Sequence, residues 1–206
     1  MSRASDSRFR TWLRTRTLFA DSEPTRWGWG ICAVAAVVLA CAVWLLMGPS
    51  AGWHRVPAVI FALAVPLLIW VDLREHRLPD LVVLPLLAFV FAGSVWAAIA
   101  DDAGNRLVQA LAGAVLLTVV FGVLFVLAPA SLGFGDVKLA AVIGVLIGWY
   151  GWRMVIAALV LTLCVGVVHG LLVAVVLRRV KNVHIAFGPA MLVAALITCV
   201  GAAALT

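Results

Sequence analysis

The sequence predicts an all-α protein, a polytopic transmembrane helical bundle of six to eight spans. Hydrophobic residues make up 66% of the 206 residues and charged residues only 12%, and the mean hydropathy is +1.18. A soluble domain has roughly 45–50% apolar residues. The few charges also lie between long uncharged runs, and a helix needs about 20 apolar residues to cross a bilayer. Composition and charge spacing therefore both indicate a chain that crosses the membrane repeatedly.

Seven apolar runs are the candidate spans. The second and the fifth are short enough to be re-entrant or tilted into the protein, and the other five have about the length of a full crossing. The connections are too brief for a separate soluble domain. We therefore predict a cytoplasmic basic N-terminal tail at 1–26 and a single membrane-embedded domain at 27–206. In chain order the runs are 27–47, 56–71, 81–100, 107–127, 137–152, 154–177 and 185–204.

The distribution of Lys and Arg predicts the orientation of the chain. The formal net charge is +6, which in a soluble protein would suggest a nucleic-acid partner. If the N-terminus is cytoplasmic, twelve of the 15 Lys and Arg fall on the cytoplasmic side and three on the other, in agreement with the positive-inside rule. We therefore expect a multi-pass protein of the cell (inner or plasma) membrane, whose surroundings are the lipid bilayer and not nucleic acid. Asp72 and Asp136 then share the cytoplasmic face, whereas Asp101 and Asp102 lie outside.

The segment 131–139, with the sequence SLGFGDVKL, is the first candidate for a functional site. Asp136 lies where one apolar run gives way to the next, and an ionisable residue at such a place suggests function. The glycines beside it offer open backbone against which an extended peptide could lie by strand addition. Lys138 is two residues from Asp136 and so does not share its helical face. We predict a substrate-binding surface made of Gly133, Phe134, Gly135 and Lys138.

A second carboxylate, Asp72, closes the short apolar run 56–71. A carboxylate at the C-terminal end of a helix opposes the helix dipole, so its position calls for a reason. The polar loop that follows is explained by solvation, with Asp80 as the N-cap of the third span and with Arg74 and Arg77 as anchors to lipid phosphate.

A pair of aspartates can hydrolyse a peptide bond without help from a metal or cofactor. Two carboxylates held a few ångströms apart cannot both ionise, so they share one proton. One draws a proton from the attacking water, and the other polarises the peptide carbonyl and later protonates the leaving amine. The sequence has neither an H-E-x-x-H helix nor a G-x-S-x-G motif that would point to other hydrolytic chemistry. No metal or cofactor is expected, and the sequence leaves open which aspartate is the base.

These residues resemble those of the type IV prepilin peptidases, a branch of the G-x-G-D membrane aspartyl proteases. The resemblance rests on GFGDVKL at 133–139 with the following Gly144 and Gly148, and on DLR at 72–74, which runs into LPD at 78–80. A weaker likeness is IAFGP at 185–189. The resemblance implies a membrane aspartic endopeptidase in which Asp72 and Asp136 are the catalytic pair.

The resemblance also implies the substrates. They would be prepilin or pseudopilin-like precursors of type IV pili and protein secretion, whose short basic leader is removed on the cytoplasmic side. Larger members of the family carry a cytoplasmic insert with paired C-x-x-C zinc motifs and also methylate the new N-terminus. The four cysteines here lie singly in apolar runs, so the chain resembles the compact form that lacks the insert. They are Cys32, Cys41, Cys164 and Cys199.

A different class of function stays open at this stage. In a proton-coupled transporter or an assembly scaffold, the carboxylates would carry protons or simply pair with Arg74 and Lys138. Internal pseudo-symmetry with broken helices at matching positions would favour transport, and the sequence shows no internal repeat.

Overall fold

The computed structural model describes residues 26–75, 78–127, 132–177 and 187–205. Over these residues the chain consists of helices joined by short turns, which confirms the predicted all-α fold. The predicted tail up to residue 25, Arg77, and residues 185 and 186 of the weaker likeness lie outside them. The described helices are α1 (Arg26–Met47), a 3-10 helix (Pro49–His54), α2 (Arg55–Glu75), α3 (Asp80–Ala100), α4 (Gly104–Leu127), α5 (Phe134–Gly148), α6 (Trp152–Leu177) and α7 (Gly188–Leu205).

Most of these helices are suited to cross a bilayer. Five stretches in the described part of the chain are long and apolar enough to do so: Gly28–Met47, Pro49–Arg74, Asp80–Ala100, Gly104–Leu127 and Gly188–Leu205. α6 has 26 residues and adds the apolar stretch Trp152–Val168. The exposed faces are rich in Val, Leu, Ile and Phe, as lipid contact requires. The protein is therefore a multi-pass membrane protein, and its number of crossings roughly fits the prediction.

α5 differs from the other helices in length and burial. It has 15 residues, fewer than the roughly 17–25 of a helical crossing, and it is buried along nearly its whole length from Asp136 onward. It also begins and ends earlier than the predicted run 137–152. The helix starts early because Asp136 lies inside its first turn and not before it. After the helix ends, the chain changes direction in a turn that includes Gly151, whose φ is 95°.

The close packing of α4 against α5 depends on glycines. A side chain on Gly144 would overlap the Cα of Ala114, and a Cβ on Gly148 would lie 2.7 Å from the Gln109 carbonyl oxygen. From the other helix, a Cβ on Gly113 would lie 2.7 Å from the Gly144 carbonyl oxygen. Small residues of this kind let membrane helices approach to backbone contact. α4 therefore holds α5, and with it Asp136, in a fixed place.

The up-and-down course of the chain gives the bundle two different ends. The site end contains the last turn of α2 and the first turns of α3, α5 and α7, which are joined by contacts at Leu78 and Gly188. At the opposite end His54, in the 3-10 helix, is fully buried. Its Nε2 lies 3.0 Å from the Leu146 carbonyl oxygen, and its ring stacks on Trp149 at 4.4 Å. The opposite end thus anchors the C-terminal turn of α5 and leaves the site end to carry Asp136.

Candidate active site

The two predicted aspartates meet at the site end of the bundle. Asp72 lies in the last turn of α2 and is 4% exposed, and Asp136 is the third residue of α5 and is 7% exposed. Gly135, which precedes Asp136, and Gly188, which lies against Asp72, both pack on Leu78, so the two carboxylates belong to one cluster. Taking carboxylates out of water is costly unless they are paired or hydrogen-bonded. Two buried carboxylates in one cluster are therefore not explained by the stability of the fold.

Asp136 is held by the start of its own helix. Its Oδ2 accepts a hydrogen bond from the backbone N–H of Gly133 at 3.0 Å. Gly133 is the N-cap residue of α5, so one of the free N–H groups at the helix start is satisfied by this side chain. A carboxylate in the first turn also interacts favourably with the helix dipole. These contacts fix Oδ2 of Asp136 at the start of α5.

Asp72 is held less completely. Its Oδ2 is buried and has no hydrogen bond of standard geometry among the described residues. The same oxygen lies against Gly188, the first residue of α7, where an added Cβ would come within 2.5 Å of it. Only a glycine at this position lets the start of α7 approach the carboxylate so closely. A buried carboxylate with so few partners among the described residues calls for a chemical explanation, because buried polar groups are normally hydrogen-bonded.

Leu78 connects the two halves of the site. It is buried, and a Cβ on Gly135 would lie 2.7 Å from the Leu78 Cβ and 3.2 Å from its carbonyl oxygen. The Leu78 Cδ1 reaches to 3.6 Å from the corresponding position on Gly188. Leu78 is therefore packed between the glycine of α5 that precedes Asp136 and the glycine of α7 that faces Asp72.

The two glycines of the GFGD sequence have different surroundings. Gly133 has a φ of −84° and is exposed, and a Cβ there would make an ordinary contact of 3.5 Å with Oδ2 of Asp136. Neither glycine is among the positive-φ residues of the described chain. Gly135 is thus needed for the close approach of Leu78 and not for an unusual backbone conformation.

Lys138 is paired with Asp80 and not with a predicted catalytic aspartate. Its Nζ lies 2.6 Å from Oδ1 of Asp80 and 4.8 Å above the ring of Phe134. Asp80 is the first residue of α3, whose N-cap is Pro79, so the prediction that Asp80 is the N-cap was wrong. A proline fixes its backbone at the start of the helix, and the Asp80 carboxylate turns to the nearby ammonium.

The predicted alternative in which the aspartates are merely neutralised by cations finds no support in the described residues. Arg74 lies over the ring of Trp70 at 4.7 Å, and Lys138 is held by Asp80. No ion pair within the described ranges joins Asp72 or Asp136 to a cation.

Sequence reasoning gave Gly188 and Leu78 no role in the site. The signals were present in the IAFGP and LPD stretches, but only the packing of α7 against α2 shows that these residues meet. The predicted surface residues Gly133 and Phe134 are exposed beside Asp136, and the Phe134 ring, 56% exposed, lies 5.8 Å from that of Phe125.

The helices and the site together define a polytopic membrane protein with two buried carboxylates at one end of its bundle. The sequence profile of the Type IV leader peptidase family matches residues 58–175, which include Asp72 and the whole of 133–139. This match covers more than half of the 206 residues. The chain therefore belongs to the type IV leader peptidase family, as its resemblance to the prepilin peptidases indicated, and membership of this family indicates a protease. Comparisons with curated proteins and with solved structures return no match.

Proposed function

We propose that this protein is an aspartyl endopeptidase that removes the basic leader from type IV prepilin-like or pseudopilin-like precursors, with Asp72 and Asp136 as its catalytic pair. The observation that carries the proposal is the presence of two buried carboxylates from separate helices in one cluster around Leu78. Family membership supports the protease class. The aspartic mechanism is our inference from the site.

The chemistry follows from the shared proton. One carboxylate takes a proton from a water molecule, and the resulting hydroxide attacks the carbonyl carbon of the scissile peptide bond. The other, protonated carboxyl donates a hydrogen bond to the carbonyl oxygen and then protonates the leaving amine. The pair ends the cycle with one proton between its members, as it began.

The substrate is proposed to lie along the exposed start of α5. Gly133 leaves its backbone open for an extended peptide, which is the form that a protease needs because a helical scissile bond is shielded. The Phe134 ring and its neighbour Phe125 offer an apolar surface for the hydrophobic segment that follows a leader. Lys138 and Gly135, which were also predicted for this surface, lie at its α3 side, where Lys138 is held by Asp80 and Gly135 is covered by Leu78.

The proposed location is the cell membrane, with the N-terminus and the site end cytoplasmic. The support is the bias of twelve to three in Lys and Arg. With the native cysteines replaced, a single cysteine at position 73 or 134 should resist an impermeant thiol reagent applied from outside, whereas one at position 105 should react. Labelling of 73 or 134 from outside would reverse the orientation and move cleavage to the other face.

The function is tested with purified protein in liposomes and a prepilin-like precursor that has a basic leader and a glycine before its hydrophobic segment. We expect one cut at the end of the leader, identified by N-terminal sequencing of the product, and no cut by Asp136→Asn. Cleavage that survives in both Asp72→Asn and Asp136→Asn would rule out the aspartic mechanism. Proton uptake driven by a solute gradient, without cleavage, would support a transporter instead.

A further inference from the structure

We propose that the ion pair between Lys138 and Asp80 is a latch that sets the geometry of the Asp72–Asp136 pair, so that both of its members are positioning residues. The inference rests on the proposed function. It gives a role to Asp80, which sequence reasoning treated as a solvated helix end.

The latch attaches the connection between α2 and α3 to α5. Only four residues separate the end of α2 from Asp80, the first residue of α3. Leu78, two residues earlier, packs on Gly135, and Lys138 follows Gly135 by three residues, about one turn along α5. The connection is therefore held to α5 at two points one turn apart, an apolar contact and an ion pair.

A displacement at the latch must reach the aspartates. Leu78 lies between Gly135 and Gly188, and Gly188 is in contact with Asp72. If α3 moves away from α5, Leu78 is no longer held between Gly135 and Gly188. Gly188, which lies against Asp72, can then shift. α5 itself cannot follow, because its glycines are in backbone contact with α4. Breaking the latch therefore changes the separation of the two carboxylates.

The solvent exposure of the Lys138–Asp80 ion pair distinguishes a positioning role from a purely stabilising one. The side chains of Lys138 and Asp80 are 22% and 59% exposed. Ion pairs open to solvent contribute little to the stability of a fold, and salt screens them. Catalysis is far more sensitive, since a misplacement of about 1 Å can reduce a rate roughly 100-fold. The latch should therefore affect turnover and leave unfolding almost unchanged.

The kinetic test uses Asp80→Asn, Lys138→Met and the exchanged pair Asp80→Lys/Lys138→Asp with the precursor described above. We expect each single variant to lower kcat roughly 10- to 100-fold, with KM and the midpoint of thermal unfolding little changed. The exchanged pair should recover much of the lost kcat.

Salt at about 1 M, where the screening length is about 3 Å, should lower the kcat of the native protein but not that of the single variants. A rise in KM without a fall in kcat would show that Lys138 contacts the substrate directly. The absence of recovery in the exchanged pair would show that the pairing of the two charges does not set the rate. Either result would overturn the latch.

A distance measurement tests the latch without any cleavage assay. In a background without the native cysteines, spin labels are placed through Leu81→Cys and Leu127→Cys, two exposed positions at the site end on α3 and α4. Because α4 is packed on α5, the label on α4 reports the place of α5. Asp80→Asn should broaden the distance distribution, and the exchanged pair should narrow it again. An unchanged distribution, or a broadened one with native kcat, overturns the proposal. If the native protein shows no cleavage that depends on Asp136, the proposed function is wrong. The latch would still be tested by the spin-label distances, because that measurement needs no substrate.

Discussion

The two ends of the bundle each carry two aspartates. The two sets differ in burial, in hydrogen bonding and in how far apart their members lie in the chain. At the opposite end Asp101 and Asp102 are neighbours in a turn, both exposed, and Asp101 accepts a hydrogen bond from the backbone N–H of Trp53 at 2.9 Å. At the site end Asp72 and Asp136 come from different helices and are both buried, and within the described ranges one oxygen of Asp72 has no hydrogen bond of standard geometry. Solvated carboxylates need no further reason, whereas buried and incompletely satisfied ones point to function.

The largest effect is expected from substitutions of the two buried carboxylates. Asp72→Asn and Asp136→Asn should each reduce prepilin cleavage on the order of 10⁴-fold or more, and the double variant should be no worse, because the residues act as a unit. Asp101→Asn is the matched control at the opposite end and should cleave at the native rate. Cleavage is measured as the loss of the leader from the precursor on a gel. A comparable loss in Asp101→Asn would remove the distinction between the two ends.

The second expected effect concerns the close approach of Leu78. Gly135→Val should abolish measurable cleavage, because its side chain must displace Leu78 from a position 2.7 Å away. Gly135→Ala meets the same atom with one carbon and should retain partial activity. The control is Gly133→Ala, whose Cβ makes only an ordinary contact, and it should turn over substrate within a few-fold of the native rate. Near-native cleavage by a folded Gly135→Val protein would contradict the packing argument.

A smaller effect on cleavage is expected from a substitution at Gly188, the first residue of α7. Gly188→Ala places a methyl group within 2.5 Å of Oδ2 of Asp72, so the carboxylate must turn away, and we expect kcat to fall roughly 10- to 100-fold. Gly201→Ala lies on the same helix with nothing within 4 Å of the added atom and should have no effect. Equal rates for the two variants would mean that the contact with Gly188 has no part in catalysis.

The smallest expected effect lies at the opposite end. His54→Ala removes a buried hydrogen bond to the Leu146 carbonyl and a stacked ring, so it should lower the free energy of unfolding by about 1–3 kcal/mol. His54→Phe keeps a ring against Trp149 and should lose less. Both should keep the native kcat once folded, as judged by thermal unfolding in detergent and by the cleavage assay. A selective loss of kcat in His54→Phe would connect the two ends functionally.

Much of the fold was predictable from the sequence because the bilayer constrains it so strongly. The predicted runs 27–47, 81–100 and 107–127 correspond closely to α1, α3 and α4. The prediction was less accurate where a charged residue was taken as a boundary. α2 continues past Asp72, and α5 begins before Asp136, because a helix ends where its backbone hydrogen bonds end and not where its side chains become polar.

The candidate site was predictable in part, for a related reason. The charge distribution assigned Asp72 and Asp136 to the same face, and the structure brings them together at one end. The contacts of Gly188 and Leu78 depend on how α7 and the connection after α2 pack against other helices, and no local pattern encodes that. The pairing of Lys138 with Asp80 likewise joins residues 58 positions apart.

The shortness of α5 bears on how deep in the bilayer Asp136 can lie. A helix of 15 residues rises about 22 Å, whereas the hydrocarbon core is about 30 Å thick, so α5 falls about 8 Å short of crossing it. If the end of α5 that is anchored by His54 and Trp149 reaches the edge of the hydrocarbon core, the missing length lies on the side of Asp136. In the proposed reaction, the water and the precursor would then have to reach a carboxylate that is recessed below the lipid headgroups.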